Sequence, residues 1–291
     1  MDIKASDIKA LRDMTGAGML DCKKALTETN GDMDKAIDYL REKGISKAAK
    51  KQDRIAAEGL SAIYEEGNKA VILEVNSETD FVAKNAEFVK MVETIGKAIL
   101  NSNATSLEEA LNLPAPEGTI NDLIINETAT IGEKLSLRRF ELVTKTDDEV
   151  FGSYLHMGGR IASLIVLKNG SVEVAKDCAM QSAAMRPKYL NIESVPTEDV
   201  EHEREIQKQI AINEGKPEDI AVKMVEGRIR KYYKEVCLTE QPFVRDDEKS
   251  VSEYVKSNGG IIKSMVRYEV GEGLQKREEN FAEEVAKQMA E

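Results

Sequence analysis

The strongest constraint on how this chain can fold is a change of hydrophobic period near Glu58. Before that point apolar residues recur at helical spacing. Ile8 and Leu11 share one face, Met19, Leu20, Ala25 and Leu26 a second, and Met33, Ala36, Ile37 and Leu40 a third. Thr15-Gly16-Ala17-Gly18 and Asn30-Gly31 separate the three stripes. Ser6 and Asp32 are placed to cap the first and third helices, and Gly44 is expected to end the last one. The pattern predicts a compact three-helix module over residues 1–45, small enough to be marginal alone. From Glu58 onward the period is two: Leu60, Ala62 and Tyr64 alternate with polar residues, Glu66-Gly67-Asn68 turns, and residues 70–75 read as a buried strand. Runs of helix and runs of strand kept apart in this way predict an α+β fold.

Between the two regimes lies a polar, basic stretch, residues 46–56, read as a solvated linker or helix end. The core is expected in two parts, 57–145 and 146–275. In the first, a helix follows Ser77-Glu78-Thr79-Asp80 and carries Phe88, Val89, Val92 and Ile95. Residues 101–117 read as a loop with Pro114 and Pro116, residues 120–131 as a helix, and residues 135–143 as a strand. The second part repeats fragments of the first. Val82-Ala83-Lys84 recurs as Val174-Ala175-Lys176, and Arg139-Phe140-Glu141-Leu142 as Arg267-Tyr268-Glu269-Val270. These matches point to two related β-β-α-α-β subdomains, the second enlarged by one helical hairpin.

That hairpin is predicted over residues 197–236, which are dense in Glu, Lys, Gln and Arg. Gly215-Lys216-Pro217 forms its bend, and Val200, Ile206, Ile210, Ile220, Met224 and Ile229 are expected along its seam. So narrow a seam suits a protruding antiparallel pair. A last amphipathic helix is expected over 276–291, with Phe281, Val285 and Met289 on one face.

Composition excludes several roles. A net charge of −12, no Trp and 5% aromatic residues disfavour direct binding of nucleic acid. No run approaches the roughly 18 apolar residues of a membrane span, and the N-terminus lacks the pattern of a signal peptide, so a cytoplasmic protein is expected. Cys22, Cys178 and Cys237 are too scattered for a disulfide framework or a zinc site. Phosphate-loop and dinucleotide fingerprints are absent, and His202-Glu203 has no second histidine four positions on. No catalytic residue, cofactor or metal is therefore assigned. A cysteine hydrolase built on Cys178 and His156 stays a rival reading, although Cys178 lies in a helical run and reads better as a small buried hydrophobe.

One segment stands out. Asn76-Ser77-Glu78-Thr79-Asp80-Phe81-Val82 falls where a buried strand meets a helix. Spacing alone leaves open whether Phe81 tucks into its own core or stands exposed. Exposed beside a carboxylate, it would make a stiff apolar wedge.

Thr-Gly-Ala-Gly-Met-Leu-Asp-Cys-Lys-Lys-Ala-Leu at 15–26 and the stretches 74–85, 158–167, 223–244 and 267–274 together resemble the elongation factor Ts family, in order along the chain. The resemblance implies a guanine-nucleotide exchange factor for elongation factor Tu, in its GDP-bound or nucleotide-free form, with no enzymatic chemistry of its own. It implies an N-terminal module like a ubiquitin-associated domain that docks on the partner's nucleotide-binding domain through Arg12, Leu20 and Lys23, although Leu20 is often Met in relatives. Thr79, Asp80, Phe81 and Val82 match the motif that pushes beside the partner's magnesium site. His156, Gly158 and Gly159 match a second contact region. The C-terminal helix is also expected to reach the partner. A homodimer stays open, as does a rival binding module in which the three helices act alone.

Overall fold

Two strands with almost no exposed residue, 69–77 and 161–168, set the layering of the molecule. The computed structural model describes residues 3–15, 17–116 and 118–275. Three helices come first: α1 (Ala5–Thr15), α2 (Met19–Glu28) and α3 (Met33–Ala49). The first half of the core follows as β1 (Glu58–Glu66), β2 (Lys69–Ser77), α4 (Asp80–Ala83), α5 (Ala86–Leu100), α6 (Leu107–Leu111), the short pair β3 (Pro114–Ala115) and β4 (Gly118–Thr119), α7 (Ile120–Ile131) and β5 (Ser136–Thr144). The second half holds β6 (Glu149–His156), β7 (Ile161–Lys168), α8 (Val172–Met185), α9 (Thr197–Asn213), α10 (Glu218–Val236), β8 (Pro242–Phe243), β9 (Asp246–Ser250), α11 (Val251–Ser257) and β10 (Ile261–Glu269).

Each half builds the same antiparallel sheet. A hairpin comes first, and the closing strand then pairs with the hairpin's second member, giving the orders β1-β2-β5 and β6-β7-β10. Because side chains alternate along a strand, β2 sends Val71, Leu73 and Val75 to one face. There they pack with Phe88, Met91, Val92, Ile95 and Ile99 of α5. Ala70 and Ile72 point the other way, against Phe151, Ala162, Leu164, Val166, Val266 and Tyr268 of the second sheet. β7 mirrors this arrangement, with Ile165 and Leu167 facing Val174, Ala175, Cys178 and Ala179 of α8. The layers therefore run helix, sheet, sheet, helix.

Glu74 shares its side of β2 with Ala70 and Ile72 and lies fully buried where the sheets meet. Arg138 Nη1 reaches it at 3.0 Å, Arg139 Nε at 2.6 Å, Asn76 Nδ2 at 3.0 Å and the Gly271 N–H at 2.8 Å. Burial by itself would raise this carboxyl. The Gly271 N–H, Asn76 and the two guanidinium groups more than reverse that and hold it below its ordinary range.

The N-terminal helices close around Ile8, Leu11, Cys22, Ala25, Leu26 and Ala36 and rest against the core. Arg41 pairs with Asp122 of α7 at 3.4 Å, and Lys51 Nζ donates to the Thr128 carbonyl at 3.3 Å. Several local expectations need correction here. Ser6 lies inside α1, its hydroxyl donating to Asp7 at 3.2 Å, and is not the residue before it. Gly44 does not end α3, which continues to Ala49. At this point α3 packs on α7: a Cβ at Gly44 would lie in ordinary contact, 3.4 Å, with Ala129 Cβ. That packing offsets the glycine's helix cost of roughly 1 kcal/mol. Of the two readings of the basic stretch, the helix end holds for its first residues, which finish α3, and Lys51 docks the rest on α7.

Residues 101–117 hold the helix α6, capped by the Ser106 hydroxyl on the Glu109 N–H, where a loop was expected. On the α9–α10 hairpin only Ile229 of the expected seam is buried, with Ala211, Ala221 and Val225 beside it. Ile206, Ile210 and Ile220 are exposed. Small alanines let the two helices close one residue away from the isoleucine stripe. Lys208–Glu218 and Arg228–Glu214, both at 2.8 Å, together with Arg204–Glu226, bridge the pair. The expected helix over 276–291, with Phe281, Val285 and Met289, lies outside the described residues.

Candidate partner-docking site

Ser77 ends β2, and the chain must turn from a buried strand into α5. It does so through α4, a helix of only four residues. Thr79 is extended (φ −127°, ψ 156°), and its hydroxyl accepts from the Val82 N–H at 3.4 Å, the usual work of an N-cap. Val82 is pinned in the core of the first half. Successive helical residues point about 100° apart, so with Val82 inward Phe81 faces solvent, 80% exposed. The two orientations that spacing left open are thus resolved toward exposure. Asn85 then caps α5, accepting from the Glu87 N–H at 2.8 Å.

The corner is held from outside as well. Glu133, in the turn between α7 and β5, accepts from the N–H groups of Glu78 and Thr79, both at 3.0 Å, and from the Thr79 hydroxyl at 2.6 Å. Glu78 accepts in return from the Lys134 N–H at 2.6 Å and pairs with Arg54 at 3.3 Å. Asp80 is exposed and paired to Lys84 at 2.7 Å. The bond from Lys84, with a smaller contribution from the charge of Arg160, holds its carboxyl below the ordinary value.

Arg160 belongs to the loop joining β6 to β7. His156 ends β6, exposed, with its Nδ1 3.3 Å from the Tyr154 hydroxyl. Met157, Gly158 and Gly159 then take φ of 49°, 65° and 93° in succession. A Cβ at Gly159 would meet Leu60 Cδ1 at 2.5 Å and the Ser61 carbonyl at 2.8 Å. The glycine is needed both for its φ and for this approach. The Ser61 N–H donates to the Gly159 carbonyl at 2.8 Å, and Arg160 pairs with Glu58 at 3.0 Å. Glu58 is the register partner of Ser77. The tip of the second half's hairpin therefore lies along the same edge as the Phe81 corner.

Residues 79–82 and 156–159 are thus linked through β1, by way of Ser61, Glu58 and Arg160. Met157, 71% exposed, and Leu155, 47% exposed, flank His156 at the tip between β6 and β7. Neither was singled out from the sequence. The usable signal was an apolar residue placed directly before two glycines, in a turn too tight to fold it inward. Glu133 carried no such signal, because it sits 54 residues from its partner Thr79.

Arg12, Leu20 and Lys23 form a separate group on α1 and α2. All three are exposed, Leu20 at 84%, with Met14 and Met19 also exposed nearby. Among the described residues no hydrogen bond or ion pair joins them to residues 79–82 or 156–159. A crevice of about 580 Å3 lies between these helices and α7 and is lined by Met14, Ile37, Leu40 and Ala129. It includes none of the residues at the Phe81 edge.

Cys178 is fully buried inside α8. Desolvation, helped by the charge of Asp177, pushes its thiol up to about 12. That thiol is neutral at neutral pH and sealed from solvent, while His156 lies on the exposed edge. The pairing a cysteine hydrolase needs is not built. Cys22 and Cys237 are buried too. Among the described residues, no group of three or more His, Cys, Asp or Glu side chains could hold a metal ion, and no helix is long and apolar enough to cross a membrane.

A family model described as Elongation factor TS matches residues 78–272. The chain belongs to the elongation factor Ts family. The matched span begins at the clamped corner and takes in both Phe81 and the His156 loop, whereas Arg12, Leu20 and Lys23 lie ahead of it. Membership carries a role in translation elongation, as a nucleotide-exchange factor that interacts with elongation factor Tu.

Proposed function

We propose that the protein binds elongation factor Tu in its GDP-bound form and speeds GDP release by pressing Phe81 beside the partner's magnesium ion. The observation that carries this reading is an aromatic ring 80% exposed on a short, doubly anchored corner. An aromatic side chain offers a large apolar surface with two torsions to freeze, and a rigid base lets it push without yielding. GDP in a GTPase is held by backbone N–H groups and Mg²⁺. Mg²⁺ requires near-ideal octahedral geometry, so a small displacement of its ligands loosens the nucleotide. Each ~1.4 kcal/mol lost lowers GDP affinity about tenfold. Linkage makes the effect reciprocal, so an incoming nucleotide expels the factor.

In this reading Thr79 and Val82 set the corner, and Asp80 places a charge beside the ring. His156, Gly158 and Gly159 give the core a second foothold. Arg12, Leu20 and Lys23 grip the partner's nucleotide-binding domain from the N-terminal module, which supports binding more than release.

Mixing the protein with elongation factor Tu loaded with fluorescent GDP tests the reading. Release is expected to accelerate with the intact chain and with Cys178→Ser, and to fall back at least tenfold with Phe81→Ala, the loss expected of an interface anchor worth about 2 kcal/mol. Phe81→Ala should keep wild-type stability, because the ring is exposed. Full acceleration by residues 1–45 alone, or its loss in Cys178→Ser, would overturn the reading in favour of the rival module or the hydrolase.

A further inference from the structure

A helix of four residues closes too few hydrogen bonds to hold itself together. Phe81 is the second residue of such a helix, so its direction must be imposed from elsewhere. Val82 supplies one anchor in the core. Outside the core the Ser77 hydroxyl donates to the Thr79 carbonyl at 2.9 Å, and Glu78 is held by Lys134 and Arg54. Among the described residues, however, only the Glu133 side chain binds the cap hydroxyl itself. We infer that Glu133 is a positioning residue that aims Phe81; this rests on the reading of Phe81 proposed above.

Glu133 Oε2 takes the N–H groups of Glu78 and Thr79, both at 3.0 Å, which would otherwise be left to water as the chain leaves β2. Its Oε1 takes the Thr79 hydroxyl proton at 2.6 Å. With that proton directed at Glu133, the remaining lone pairs of the hydroxyl include the one that accepts the Val82 N–H at 3.4 Å. The carboxylate thereby orients the cap of the helix that carries the ring. Bonds from backbone N–H and hydroxyl donors to an ionised acceptor are stronger than neutral ones. Glu78 closes the loop by accepting from Lys134, the next residue along, at 2.6 Å. Glu133 bonds the backbone and cap of the corner, and among the described residues no hydrogen bond or ion pair joins it to Phe81. Removing it should leave Phe81 at the surface but no longer aimed.

Glu133→Ala is the test, read with Phe81→Ala and with the double variant. In the free protein, amide hydrogen exchange at residues 78, 79 and 82 is expected to speed up, while the amides of β2 and α5 keep their protection. With elongation factor Tu loaded with fluorescent GDP, release stimulated by Glu133→Ala is expected to slow about tenfold, equivalent to ~1.4 kcal/mol. Glu133→Gln should fall between Glu133→Ala and wild type. The double variant should be no slower than Phe81→Ala alone, because Glu133 acts through the ring.

Unchanged amide exchange at the corner, or a double variant slowed by the full product of the two effects, overturns the inference. A wild-type release rate for Glu133→Ala beside a slow Phe81→Ala overturns the role of Glu133 and spares that of Phe81. A wild-type rate for Phe81→Ala overturns the reading of the ring and this role with it. Should Glu133→Ala fail to fold, Glu133→Gln, which keeps the size of the side chain but not its charge, is read by the same amide and release measurements, with the same outcomes deciding.

Discussion

The two halves of the core follow one topological plan and spend their loops differently. In the first half β1 and β2 are joined by a tight turn at Gly67-Asn68, while the passage from β2 into α5 is drawn out into a separate helix bearing Phe81. In the second half the passage from β7 into α8 is short, with Ser171 capping α8 directly by accepting from the Val174 N–H. There it is the tip between β6 and β7 that is elaborated, by His156, Met157 and two glycines. Stacking the sheets puts both elaborated loops on the same edge. Duplicated architecture supplies stiffness twice, and departures from the duplicate make the site.

Breaking the junction between the halves should have the largest effect. Glu74→Ala leaves Arg138 and Arg139 without their buried counter-charge and the Gly271 N–H without its acceptor. A loss of about 3–5 kcal/mol in urea unfolding is expected; a loss below about 1 kcal/mol would show that the halves dock without it. Since the folded Glu74 carboxyl is held below its ordinary value of 4.5, its stabilisation is complete above that value and is lost as pH falls through the folded one. Glu74→Gln should therefore flatten the acid limb of the stability profile.

Next in size is Gly159→Ala, which places a methyl against Leu60 and Ser61 at positive φ. It should cost about 1–3 kcal/mol and weaken association with elongation factor Tu by lifting the second half's tip off β1. Thermal unfolding and titration of the complex check the two parts separately. The smallest effect sharpens the comparison from the other side. Val172 is exposed at the start of α8, the second half's counterpart of the Phe81 corner. Val172→Ala should change stability by less than about 0.5 kcal/mol and leave nucleotide release untouched.

Much of this layout was legible in the residues, because periodicity reports on burial. The alternation at residues 60–64, the run at 70–75, apolar except for Glu74, and the helical stripe through Phe88, Val92 and Ile95 correspond to β1, β2 and α5. Repeated fragments foretold matching sheets. What was hidden depends on contacts far apart along the chain. Gly44 reads as a stop until Ala129 is seen against it, and the hairpin seam reads as isoleucine until the alanines are seen to pack closer. Phe81 could not be assigned from spacing, since its orientation follows from Val82 and from a carboxylate in a distant turn.

The central claim is that the exposed ring acts on the partner's magnesium. The most direct measurement compares fluorescent-GDP release from elongation factor Tu driven by the wild-type protein and by Phe81→Ala, first with saturating Mg²⁺ and then after chelation. A ratio of at least about ten with Mg²⁺ that collapses toward one without it is the predicted result. Equal rates with Mg²⁺ present, or a ratio unchanged by chelation, would contradict it.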